Sequence, residues 1–248
     1  MRPLRALTTL PIALIALLGA LGAVGAASAE GWRVDEQATA FAVLTHRAGF
    51  ASGLAHDHLI VARAAKVDFE LDPERPEAAR LALEARADAL EVDGAAARER
   101  WGPRLVELGA LGEEGLPPVP EKDGVKVREA MLGRSQLDAA SHPTISAELV
   151  GLARRGGGGD GERTALGWTA KVRLTVRGRS VERELALTWS LEGDRLTAEG
   201  LGEARFTELG IEPYSAFLGA VKNTDLFHLY VALAAERVAG DAAPPDEP

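Results

Sequence analysis

Five histidines carry most of the chemistry this sequence can offer, and three of them, His46, His56 and His58, fall within the single stretch 41–71. On an extended chain His56 and His58, at i and i+2, share one face and Asp57 turns to the other. Two imidazoles so placed can supply two ligands to a metal such as zinc, with His142, His46 or His228 as the third. They can instead sit at one end of an apolar pocket and position a ligand headgroup, the arrangement a lipid or quinone site needs. The bland alternative is that they hydrogen-bond backbone at the mouth of a β-structure. Spacing alone leaves all three open, and the pocket reading is preferred. Nucleophilic catalysis finds no support. There is no cysteine, no Gly-x-Ser-x-Gly, and no P-loop or dinucleotide fingerprint. Ser141 and His142 are sequence neighbours followed by Pro143, which says nothing about a pair in space. No enzyme activity and no cofactor are expected.

The elements that must hold these residues are mostly strands. Odd positions Leu59, Val61, Ala65, Val67, Phe69 and Leu71 are apolar and even positions Lys66, Asp68 and Glu70 polar, which predicts one uninterrupted strand with its odd face buried. Gly49 and Gly53 supply the turn into it. Upstream, 38–46 reads as extended, with Phe41 and Val43 on one face and Leu44 and His46 on the other. Pro73 and Pro76 break the long strand, and Leu81, Leu83, Ala85 and Ala87 mark the next. Residues 95–108 and 125–132 carry helical spacing. The second half reads as a meander: 144–152, 166–176, 181–191, 195–202 and a closing strand over 224–238, with a loop and helical turn over 206–217.

Inward registers follow from the same alternation: Trp168, Ala170, Val172, Leu174 and Val176 on one strand, and Val181, Leu185, Leu187, Trp189 and Leu191 on the next. Ala65 and Ala170 are small inward residues that leave space, which a solid core would fill with branched side chains. Phe206, Tyr214 and Phe217 either close the mouth of such a structure or cap its core. About eight strands with short glycine turns argue an antiparallel barrel or a sandwich, and periodicity does not choose. A barrel of that size holds one elongated ligand or is filled by its own side chains.

The ends of the chain read differently. Arg2 and Arg5 precede an apolar run, and Ala27-Ser28-Ala29 resembles a cleavage site, so 1–29 is expected to be a signal peptide and Glu30 the mature N-terminus. The mature chain is expected to be periplasmic or secreted, with no stable membrane insertion. Without cysteine no disulfide can hold it together. The stretch 239–248 is acidic, Pro-rich and expected to be disordered, leaving 30–238 as one domain. Losing Arg2 and Arg5 moves the formal balance from −9 to −11. Such a surface repels nucleic acid and anionic headgroups.

Several motifs in order carry a resemblance. Asp35 follows the first strand, His46 ends the second, Ala48-Gly49-Phe50 turns, and Ala55-His56-Asp57-His58 leads into the next strand. Then come Met131-Leu132-Gly133, the segment Leu137-Asp138-Ala139-Ala140-Ser141-His142-Pro143-Thr144-Ile145, the strand between Gly167 and Gly178, and Phe206-Thr207-Glu208-Leu209-Gly210-Ile211. From Trp32 to Arg237 this resembles the YceI-like family, with His142 where tyrosine is usual and Arg177-Gly178-Arg179 in place of His-Gly-Val. The resemblance implies an all-β, lipocalin-like antiparallel barrel of about eight strands with a short helical crossover. It also implies an exported carrier that holds a polyisoprenoid or similar amphiphile. The ligand-contacting residues expected are His56, His58, His142, Phe69, Ala170, Trp168, Trp189, Phe206, Phe217 and His228. The competing readings are a metal-dependent protein using His56, His58 and His142, and a ligand-free stress or assembly module.

Overall fold

Wherever apolar residues alternate with polar ones this chain is extended, because that period buries one face of a strand and wets the other. The computed structural model describes residues 31–50, 53, 56–155 and 167–238, so the expected signal peptide and tail lie outside it, as does most of the glycine-rich loop. Strands β1 (Gly31–Val34), β2 (Ala40–Ala48), β3 (His58–Ala62), β4 (Lys66–Glu70), β5 (Arg80–Arg86) and β6 (Leu90–Val92) come first. Helices α1 (Ala95–Glu107) and α2 (Glu121–Leu132) follow, the first where the helical spacing predicts it and the second starting four residues before the expected 125. The second half is the expected meander of β7 (Thr144–Arg154), β8 (Trp168–Val176), β9 (Arg179–Glu192) and β10 (Arg195–Arg205), then the short β11 (Ser215–Ala216) and the long β12 (Val221–Val238).

All twelve belong to one antiparallel sheet in the order β4-β5-β7-β8-β9-β10-β12-β2-β3-β6, with β1 and β11 attached to β12. Strand β3 pairs with β2 on one side and β6 on the other, while β4 pairs with β5. Because β3 runs on into β4 and β5 into β6, the two ends of that order meet along the same two stretches of chain. The sheet therefore curls back on itself into an all-β, barrel-like wall. Twelve segments stand where about eight strands were expected. Breaks at 35–39, 63–65 and 87–89 split three long strands in two, and β11 adds the last.

The break at 63–65, where Ala64 takes a left-handed φ of 48°, corrects the expected register of 59–71. Before it the even positions His58, Ile60 and Ala62 face inward; after it the odd positions Phe69 and Leu71 do. One inserted irregularity flips every later side chain to the other face. Leu59 and Val61 are fully buried, but outside the wall, against Leu105 of α1, and Ala65 lies in the break itself.

Helix α1 packs on the outer face of β2, β3 and β12, where Leu44, Leu59, Val61 and Tyr230 meet Ala97 and Leu105. Arg104 grips Glu199 through two nitrogens at 2.9 and 2.5 Å, and the Tyr230 hydroxyl donates to Glu199 at 3.0 Å. That buried phenol is pushed well above the usual tyrosine range, first by burial and then by the Glu199 charge. Leu105 is wholly buried and this outer layer is close-packed. Leu105→Ala should therefore cost about 2–5 kcal/mol in denaturant unfolding, whereas trimming a residue that lines the interior hollow should cost less. Equal losses at Leu105 and at Leu187 would contradict this division.

Candidate functional site

The inward faces of the wall enclose a cavity of about 620 Å³. Its sides are apolar: Leu81, Leu83 and Ala85 from β5, Ile145, Ala147 and Leu149 from β7, Ala170, Val172 and Leu174 from β8, Leu185 and Leu187 from β9. A register shift between Leu149 and Gly151 turns Leu152 rather than Gly151 into the hollow. One end is sealed by aromatics. The Trp32 ring lies 6.0 Å from Phe69 and its Nε1 donates to the Leu71 carbonyl at 2.9 Å, with Trp189 and Leu196 beside them. At the other end Val127, Ala130 and Met131 of α2, then Leu209, Ile211, Tyr214 and Phe217, border the opening. There the turn at Gly49 backs onto the 217–220 turn so closely that a Cβ would lie 2.4 Å from the Ala220 carbonyl, and φ of +96° also demands glycine. Phe217 borders the cavity while 81 % exposed, beside the equally exposed Leu218 and Phe50.

Polar groups concentrate at this open end. His58 projects into the cavity from the start of β3, and its Nδ1 lies 2.6 Å from an Asp93 oxygen. The other Asp93 oxygen accepts from the Leu59 amide at 3.0 Å and from the buried Arg98 guanidinium, which also donates to the Asp57 and Pro117 carbonyls. An Asp93 carboxylate paired with Arg98 can only accept, so the His58 Nδ1 carries the proton and donates. In the neutral ring Nε2 then offers a lone pair, and among the described residues no side chain or backbone group engages it. Thr45 stands directly opposite His58 across the β2–β3 ladder, also faces the cavity, and its buried hydroxyl has no hydrogen-bond partner among the described residues. His56, Gln136 and Asn223 of β12 add further polar side chains to the lining.

The crystal structure of Burkholderia cenocepacia BcnA matches this architecture with a TM-score of 0.54 and 11% identity, over 82% of this chain and 99% of that one. The chain has the BcnA fold. At that identity the likeness concerns the fold alone. A mutant Campylobacter jejuni YceI protein gives a TM-score of 0.49 at 8% identity, covering 73% and 85% of the two chains. A polyisoprenoid binding domain from Saccharophagus degradans gives 0.45 at 7%, covering 84% and 99%. At TM-scores below 0.5 these two likenesses establish nothing further about the chain. No family model and no curated protein matches the sequence.

Within the BcnA-like wall, seven of the ten residues singled out from sequence line the cavity. His56, His58, Phe206 and Phe217 lie toward the open end, Ala170 in the wall, and Phe69 and Trp189 toward the sealed end. Three do not. Trp168 lies behind Trp189, their ring centroids 6.1 Å apart, under the Arg154 guanidinium, so it plugs the end instead of lining the hollow. His142 sits in the turn before β7, its backbone amide donating to the Asp138 carbonyl at 2.8 Å. His228 is on the even register of β12, and since Phe227 and Leu229 point inward it must point outward. His56, His58 and His142 accordingly do not converge, and among the described residues no group of three or more His, Cys, Asp or Glu is placed to hold a metal ion. The sequence reading missed Thr45, Asp93 and Arg98.

His228 instead meets His46 on the outer surface of the BcnA-like wall, Nδ1 to Nε2 at 2.7 Å, with Glu203 3.6 Å away. Burial lowers the pKa of both rings below the ordinary 6.5, His46 lowers that of His228 further, and Glu203 opposes the shift for both, aided by Asp57 at His46. A folded-state pKa below the unfolded value means that the unfolded chain binds more protons as pH falls through about 6.5. Stability should thus be full near pH 7.5 and decline toward about pH 5.5. A His46→Gln/His228→Gln variant should show a flatter denaturation midpoint across that window. An equal slope in the variant would contradict the assignment.

Proposed function

We propose that this chain is an exported, YceI-like carrier that sequesters an isoprenoid or similar long-tailed amphiphile inside the wall. The observation that supports this best is the cavity. Protein interiors are close-packed, so about 620 Å³ of apolar hollow is not leftover space, and it falls within the roughly 300–1,000 Å³ of small-molecule sites. A tail entering it leaves water at roughly 25 cal/mol per Å² of apolar area, so affinity needs few polar contacts, and those present sit where a headgroup would emerge. The motif order from Asp35 to Ile211 supports the same reading.

Titration with geranylgeraniol tests it, followed through tryptophan emission because Trp189 lines the cavity. Saturable one-to-one quenching is the expected result. A linear, unsaturable response would oppose the carrier reading. Export rests on the Ala27-Ser28-Ala29 site, and N-terminal sequencing of the recovered protein should begin at Glu30. A chain retaining Met1 in the membrane pellet would refute that part.

A further inference from the structure

We propose that the headgroup held at the open end is an uncharged hydroxyl, an alcohol or a phenol, bound between His58 and Thr45. The inference rests on the carrier reading and names the ligand class that this cavity takes. Thr45 and His58 stand opposite each other in register there, and both line the cavity. Thr45 is 4 % exposed, and its Oγ1 is buried without a hydrogen-bond partner among the described residues. A buried hydroxyl left unpaired costs stability, and one that borders a cavity can be satisfied by a molecule held there. Opposite residues on adjacent antiparallel strands hold their Cβ atoms about 5 Å apart, so Thr45 and His58 can grip one small group together. Asp93 fixes the His58 tautomer, so in the neutral ring Nε2 accepts while the threonine hydroxyl can both donate and accept. A ligand O–H, itself donor and acceptor, satisfies both at once; an ether oxygen can only accept and leaves Nε2 unmet.

Charge argues against an anionic headgroup such as a phosphate. The Asp, Glu, Lys and Arg side chains bordering the cavity among the described residues are Asp123, Lys126 and Glu148. Lys126 is largely exposed and already engages Asp123 at 3.2 Å. Arg98, the one buried guanidinium among the described residues, does not line the cavity, and its two terminal nitrogens are held by Asp93 and two carbonyls. Taking a phosphate out of water without paired cations is strongly unfavourable.

The test compares three probes with one tail: geranylgeraniol, its methyl ether and geranylgeranyl phosphate, titrated by tryptophan emission into the wild type, Thr45→Val and Thr45→Ser. The wild type should bind the alcohol at least about tenfold more tightly than the ether, the equivalent of ~1.4 kcal/mol, and more tightly than the phosphate. Thr45→Val keeps the shape and removes the orphan hydroxyl, so it should fold at least as stably as the wild type and bind alcohol and ether both more weakly, since each loses the threonine donor, while the preference for the alcohol set by His58 persists. Thr45→Ser, which restores the hydroxyl, should bind both probes as the wild type does. Equal binding of alcohol and ether in the wild type, tightest binding of the phosphate, or undiminished alcohol binding in Thr45→Val would each overturn the proposal while leaving the carrier reading intact. Failure of all three probes to saturate would instead remove the carrier reading, and this proposal with it.

Discussion

Replacing Ala170 by phenylalanine is expected to abolish uptake of a long-tailed isoprenoid and to leave the protein as stable as before, or more so. Ala170 is almost fully buried in the wall, between Leu152 of β7 and Leu185 of β9 in register, and its methyl group faces the hollow. A benzyl group there enters space that side chains do not occupy. Burying it adds apolar contact at about 0.8 kcal/mol per methylene, whereas the same change in a close-packed core would cost typically 1–3 kcal/mol in strain. The tail loses the volume that the ring takes. Excluding roughly four tail methylenes weakens binding by about 100-fold or more. The sign of the stability change therefore separates a ligand cavity from a packed core. A badly destabilised Ala170→Phe variant that still quenched with wild-type affinity would contradict the assignment of this face.

The largest loss of stability is expected from Asp93→Ala. Asp93 and Arg98 are both buried, and the carboxylate holds three donors: Arg98, the Leu59 amide and the His58 Nδ1. Removing it strands a guanidinium away from water, and breaking one side of a buried pair costs about 3–5 kcal/mol. Position 93 also has a left-handed φ of 54°, which alanine tolerates less well than aspartate or asparagine. Asp93→Asn keeps the backbone preference and a carbonyl oxygen for the Leu59 amide, so its loss should be smaller, about 1.5–3 kcal/mol. Urea unfolding of the two variants measures this directly. A loss below about 1 kcal/mol for Asp93→Ala would mean that the pair does not anchor the open end.

How much of this was legible in the sequence depended on how many faces of each strand are buried. In β5, β7, β8 and β9 the alternation named the cavity-lining residues from Leu81 to Trp189, because the other face of those strands is wet or only half-buried. In β2, β3 and β12 it could not. Helix α1 covers their outer face, so Leu44, Leu59 and Tyr230 are as apolar and as buried as their inward neighbours, and strands buried on both sides lose the alternating signal. That is why Leu59 and Val61 read as inward, and why the break at 63–65 stayed hidden inside an apparently regular run. His228 was decidable, since Phe227 and Leu229 on either side fix its direction. So was Thr45, which continues the face of Phe41 and Val43. The contacts of Asp93 to His58 and Leu59, and of Arg98 to the Asp57 carbonyl, were not, because they depend on the start of α1 folding back onto the start of β3, a contact between segments that no local period encodes. Twelve segments in place of about eight strands have the same origin: strand breaks are set by tertiary curvature, and the residues at 63–65 and 87–89 carry no proline or glycine to announce them.

The central claim is that the apolar hollow exists to hold an amphiphile, and mass spectrometry of organic extracts from protein purified without detergent tests it most directly. Close to one equivalent of a long-tailed, hydroxyl-bearing lipid per chain is expected from the wild type and next to none from Ala170→Phe. Lipid-free wild-type protein that also failed to take up geranylgeraniol, or equal lipid in the two extracts, would contradict it.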